Sequence, residues 1–201
     1  MNSKLTSRQQ EIIQASGELL LTLGVTGFTT KQLAVKMGFS EAALYRHFSS
    51  KEDILVAMIA ELREKFIHIT QSKADKTETT VRDLQSFFNS IFQFFADHPH
   101  YLVVILSDGI LDSSDQIKKE ITSLMEFHMK HIGEMIEKGQ QIGEIRTDIN
   151  KFSLIHVLMG SFRLMMLKWK LSSFKLDVKK EGNLLFIDVL RLITFSNDTK
   201  K

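Results

Sequence analysis

The chain has 201 residues, 43% of them hydrophobic, with one proline, ten glycines and no cysteine. That length suits one full domain or a small one joined to a larger one, and the lack of cysteine excludes disulfides and thiolate metal sites. A net charge of +2 does not by itself announce a nucleic-acid binder, although residues 1–51 hold six Lys/Arg against three Glu, a modest basic bias. No basic-then-apolar leader opens the chain and no uncharged run of about 18 residues occurs, so neither export nor a membrane span is expected and a cytoplasmic location is predicted. With so few breakers and no turn clusters of the kind strands need, the expectation is an all-α protein of about nine helices.

Residues 1–5 read as a loose tail. Thr6 and Gln9 then form a capping box that starts a helix with Ile12, Ile13, Ala15, Leu19, Leu20 and Leu23 on its buried side, ending at Gly24. Val25 to Phe28 links it to the next pair of helices, with Phe28 plugging a small core.

Residues 29–51 carry the strongest signal. Thr30 is the expected N-cap of a short helix with Leu33, Ala34 and Met37 at helical spacing, and Gly38 ends it by accepting a left-handed conformation cheaply. Ser40 caps a second short helix whose inward face is Leu44 and Phe48. Its outward face begins with slim residues, Glu41, Ala42 and Ala43, and continues with Tyr45, Arg46 and His47. Two short helices about a tight turn, the second slim at its N-terminal end, form a helix-turn-helix whose second helix fits a DNA major groove.

Ser50 and Asp53 form a second capping box and open a connecting helix over about 51–69, striped by Ile54, Leu55, Met58, Ile59, Leu62 and Phe66. Residues 71–79 are polar without periodicity and read as a surface loop. Domains are therefore expected at 1–51, with the connecting helix to 69, and at 70–201. The larger part reads as a bundle of five helices: 80–97, Pro99 to about Leu111, about 115–141, about 150–171 and 177–195. The last two are apolar around much of their circumference. A helix apolar all round needs cover on several sides, so a homodimer through these two helices, as a four-helix interface, is expected; full burial in a monomer is the alternative.

At residues 6–51 the sequence resembles the TetR family of bacterial transcriptional regulators. The resemblance rests on Ile12, Ala15 and Leu19-Leu20, on Gly24…Gly27-Phe28-Thr29-Thr30, on Leu33-Ala34…Met37-Gly38-Phe39-Ser40, and above all on the ordered run from Leu44-Tyr45-Arg46-His47-Phe48 to Ile54-Leu55. It covers about a quarter of the chain. It implies a three-helix DNA-binding unit, a connecting helix, and a C-terminal domain for dimerisation and ligand binding. It further implies that Thr30, Lys31, Tyr45, His47 and Lys51 touch phosphates while Ser40, Glu41, Ala42 and Ala43 read base edges, with Arg46 as a further candidate. Phosphate contacts set register and base contacts carry sequence information; Ala42 and Ala43 suit a thymine methyl and Glu41 could accept from cytosine N4. Many family members have Gly or Lys near Glu41 and Ala42, so the acidic residue is a departure.

The resemblance also implies an effector cavity in the C-terminal domain. Candidate lining residues are Phe88, Phe92, Phe95, Leu102, Ile105, Met125 and Met129, with His128 and Arg163 as polar handles; a plain core explains such a stripe too, and a Met-rich lining identifies no single ligand. His128 and His131 with Glu126 and Glu134 are a weak metal pattern, since no Glu stands three residues before a histidine. His131 is expected at the surface. No nucleophile–base pair, phosphate-cradling glycine loop or catalytic carboxylate pair stands out, so no enzyme activity, cofactor or metal is expected. The sequence reading is a DNA-binding regulator, a repressor of a palindromic operator released by a small hydrophobic effector. The alternative is a same-fold architectural or division-linked DNA binder acting through a protein partner.

Overall fold

The computed structural model describes residues 5–72, 80–107, 110 and 114–194. Among these, the chain forms nine helices and no strand, with a single isolated bridge between Ile145 and Thr194. Two compact units emerge: Met1–Lys65 with His98–Leu124, and Phe66–Asp97 with Met125–Lys201.

The first unit opens with α1, Ser7–Gly27, whose capping box of Thr6 and Gln9 is formed in both directions. Gly24 was expected to end this helix. It breaks it instead (φ 66, ψ 177), and helical turns resume as far as Gly27. Ile12, Ile13 and Leu20 are buried as expected, whereas Leu23 is exposed; Ser16 and Gly17 are buried in its place. The reason is α6, Pro99–Ile105, whose His100 lies so close that a Cβ on Gly17 would sit 2.8 Å from the imidazole. A side chain there would leave no room for the ring. The helix at Pro99 was expected to reach Leu111 but ends at Ile105, where Leu106 leaves helical geometry (φ −114, ψ 22).

The helix-turn-helix is α2, Thr30–Met37, and α3, Glu41–Tyr45. The N-cap of α2 is Thr29, not Thr30: Thr29 makes a full capping box with Gln32, and extended backbone at Thr29 (φ −130) suits a cap. Gly38 takes the left-handed conformation (φ 68), and its N–H closes the helix on Ala34 and Val35 carbonyls. Ser40 caps α3, accepting from the Ala43 N–H at 3.2 Å. Phe28, Leu33, Leu44 and Phe48 fill the small core, Phe48 from the turn after α3. α4, Lys51–Ser72, begins where Ser50 Oγ accepts from the Asp53 N–H at 3.0 Å. α7, Asp115–Gln141, is capped by Ser114. Residues 71 and 72, expected in the loop 71–79, continue α4 instead; residues 1–4 of the expected tail 1–5 and 73–79 of that loop lie outside the described residues.

The second unit is built on phenylalanine. α5, Thr80–Asp97, buries Phe87, Phe88, Phe92 and Phe95. α9, Val178–Ile193, meets it closely: Phe88 and Phe186 rings are 3.9 Å apart, and a Cβ on Gly182 would fall 2.7 Å from Phe92. α8, Lys151–Leu171, buries Leu154, Leu158, Met165, Met166 and Trp169. It leaves Phe152, Val157, Leu164, Leu167 and Leu171 exposed, as α9 leaves Leu184 and Leu192.

Candidate nucleic-acid interface

Capping geometry decides which groups the helix-turn-helix can offer. Thr29 and Ser40 spend their hydroxyls on the first turns of α2 and α3, satisfying N–H groups that have no intrahelical partner. That leaves Thr30, at the first position of α2, with its hydroxyl pointing out, and it meets the Tyr45 hydroxyl at 3.2 Å. This bond ties the start of α2 to the end of α3 and presents two hydroxyls side by side. Lys31 is exposed on α2; Glu41 and Ala42 are exposed at the start of α3, with Ala43 half-buried behind them and Arg46 exposed after it. Leu44 turns inward. The structure thus brings Thr30, Lys31, Ser40, Glu41, Ala42 and Tyr45 onto neighbouring turns of two helices.

Lys51 is placed differently. Its ammonium donates to the Val25 carbonyl at 2.6 Å and lies 5.7 Å from the centre of the Phe28 ring. Partial burial pushes its pKa below the usual lysine value. The carbonyl it caps lies just beyond the break at Gly24, so this lysine also secures the end of α1. His47 is half-buried, and its carbonyl accepts from Gln9 Nε2 of α1 at 3.2 Å. Arg8, one residue earlier, lies over the Phe39 ring at 5.2 Å. Neither contact was legible in the sequence, where capping of α1 fully accounts for Gln9 and 38 residues separate it from His47. Lys36, a further cation on α2, pairs with Glu18 of α1 at 2.6 Å.

The candidate effector residues are spread over both units. Phe88, Phe92 and Phe95 are buried together in the second unit, where Phe162 approaches all three rings. His128 is buried there too, 4.8 Å from Phe66. Met129 is half-buried, while Met125 and Arg163 are exposed. Leu102 and Ile105 belong to the first unit, on α6. His131 is not the surface residue expected: it packs 5.1 Å from Phe87, and burial lowers its pKa. Among the described residues no group of three or more His, Asp or Glu is placed to hold a metal ion, and no helix is long and apolar enough to cross a membrane.

The profile of bacterial regulatory proteins of the tetR family matches residues 12–58, and that of the YsiA-like protein C-terminal region matches 59–192. The nucleoid occlusion factor SlmA of Shewanella pealeana is 27% identical over 180 residues, 88% of this chain and 90% of that one. The fatty acid degradation regulator FadR of Bacillus halodurans has a similar fold, with TM-score 0.82 and 16% identity over 94% of this chain and 97% of that one. FadR of Bacillus subtilis, solved with stearoyl-CoA, has TM-score 0.78 and 18% identity over 90% and 97%. The chain belongs to the TetR family of bacterial DNA-binding transcriptional regulators.

Proposed function

We propose that this regulator is a cytoplasmic repressor that grips a palindromic operator as a homodimer and is released by a small apolar effector. The observation that carries the reading is the outward surface of α2 and α3, with hydroxyls and cations at its edges and slim residues at the start of α3. Thr30, Lys31, Tyr45 and His47 would hold phosphates, and Lys51 would do so with the protons not given to Val25. Ser40, Glu41, Ala42 and Ala43 would face base edges. Two copies would set their reading helices in successive major grooves roughly 34–36 Å apart. The exposed apolar stripe of α8 and α9 supports the dimer. Residues 1–51 would form the DNA-binding domain and 70–201 the ligand-binding and dimerisation domain, joined by α4. An effector acts only by preferring one conformation, and Phe88, Phe92 and Phe95 are packed tightly enough that its arrival would require them to repack.

The test starts with a duplex selected by the protein from a random pool, with binding followed by fluorescence anisotropy. Tyr45→Ala should weaken binding about ten- to hundredfold, the worth of one hydrogen bond to a charged group. If both it and Lys51→Ala bind as wild type, the contact assignment fails; Lys51→Ala is read beside its melting temperature because of the Val25 bond. Stearoyl-CoA, the ligand of one structural neighbour, is the first effector probe, and release on its addition supports the effector reading. A second reading is favoured by the extent of the SlmA similarity: a DNA binder that recruits a protein partner and needs no small ligand. Chromosomal occupancy at many sites away from promoters, insensitive to stearoyl-CoA, would select it.

A further inference from the structure

We infer that Arg8 and Gln9, consecutive residues in the first turn of α1, hold the two ends of the reading helix α3 and are positioning residues for DNA recognition. α3 has only five residues. A helix that short has no stability of its own, because nucleation is costly and few bonds follow it. Its placement must come from what surrounds it, and base-edge contacts tolerate displacements of only about 0.5 Å. Leu44 and Phe48 anchor the inward face. The two ends are held from α1. Phe39, immediately before the Ser40 cap, lies under the Arg8 guanidinium at 5.2 Å. At the other end, the His47 carbonyl lies past the last helical turn, where carbonyls lack intrahelical donors, and Gln9 Nε2 supplies one at 3.2 Å.

Gln9 suits this task because its amide is fixed from both sides. Its Oε1 accepts from the Thr6 N–H at 3.0 Å and from the Thr6 hydroxyl at 3.2 Å. An acceptor is therefore required on one side and a donor on the other, which settles the orientation of the amide. The capping box of α1 thus serves twice: it starts one helix and aims a donor at another. Arg8 is also paired with Glu11 one turn on, so its stem is held while its flat face covers Phe39.

The inference rests on α3 being the DNA-reading helix, and the experiment separates the two. Gln9→Glu keeps acceptors for Thr6 but has no N–H for His47. Arg8→Leu keeps an apolar side chain near Phe39 without the cation. Affinities are measured at fixed salt for a duplex selected by wild type from a random pool and for a scrambled duplex of equal length. Loss of positioning lowers the ratio of the two affinities about three- to tenfold in each variant, the worth of one net hydrogen bond or cation–π contact, with helicity and melting temperature near wild type. An unchanged ratio in a folded Gln9→Glu overturns the inference. So does an equal loss on both duplexes, which marks simple charge repulsion. If Gln9→Glu does not fold, Arg8→Leu decides: a lowered ratio supports the inference and an unchanged one overturns it. Failure of wild type to select any duplex would overturn the DNA-reading assignment itself, and the inference with it.

Discussion

Burial of the His100 imidazole against α1 should make the first unit sensitive to acid. Desolvation, assisted by the nearby charge of His98 and opposed by Glu61, pushes its pKa down to about 4. The ring is therefore neutral in the folded chain, while in the unfolded chain it binds a proton near pH 6.5. Stability linked to this group is fully present above about pH 6.5 and is lost as pH falls toward 4, because only the unfolded state gains the proton. Between pH 7 and 5 the loss should be about 2 kcal/mol, readable as a fall in the urea midpoint. His100→Leu should flatten that slope, since no proton remains to be taken up. The tyrosine beside it has its hydroxyl pKa raised by burial, so at these pH values it stays neutral and adds nothing to the slope.

Among elements, α1 shows packing overriding propensity. Glycine in a helix interior costs roughly 0.5–1 kcal/mol relative to alanine, so Gly17→Ala would stabilise an isolated α1. In the folded chain its new methyl would meet the His100 ring at 2.8 Å. The expected net result is destabilisation by about 1–3 kcal/mol, the usual cost of overpacking. Urea unfolding checks the value, and in a His100→Ala background Gly17→Ala should cost much less, because the clash goes with the ring. The capping residues were legible in the sequence because caps are local: Thr6 with Gln9, Ser40, and Ser50 with Asp53 all lie within three residues of their partners. Thr30 was misplaced by one residue because Thr29 and Thr30 are chemically alike, and only backbone geometry distinguishes cap from first helical position.

For the molecule, the outer faces of α8 and α9 set the prediction. Leu164 and Leu171 are 68% and 76% exposed, with Leu184 and Leu192 similarly open. Apolar area left in water is worth about 25 cal/mol per Å² once covered. A second copy of the chain should cover it, giving a dimer by light scattering. Leu164→Glu should shift the chain to monomer and cost operator affinity through the lost second half-site, while far-ultraviolet helicity is kept. A monomeric wild type would defeat the dimer reading.

The all-helical class, the helix-turn-helix and the family were all determined by the sequence alone, since periodicity, caps and the run from Leu44 to Leu55 express themselves within a few residues. Tertiary structure alone decided that Lys51 caps Val25, that Gln9 reaches His47, that His131 is half-buried against Phe87, and that Arg163 is exposed. These are contacts between residues far apart in the chain or on different faces of one helix. Sequence spacing specifies which face a side chain occupies, and only packing specifies what that face meets.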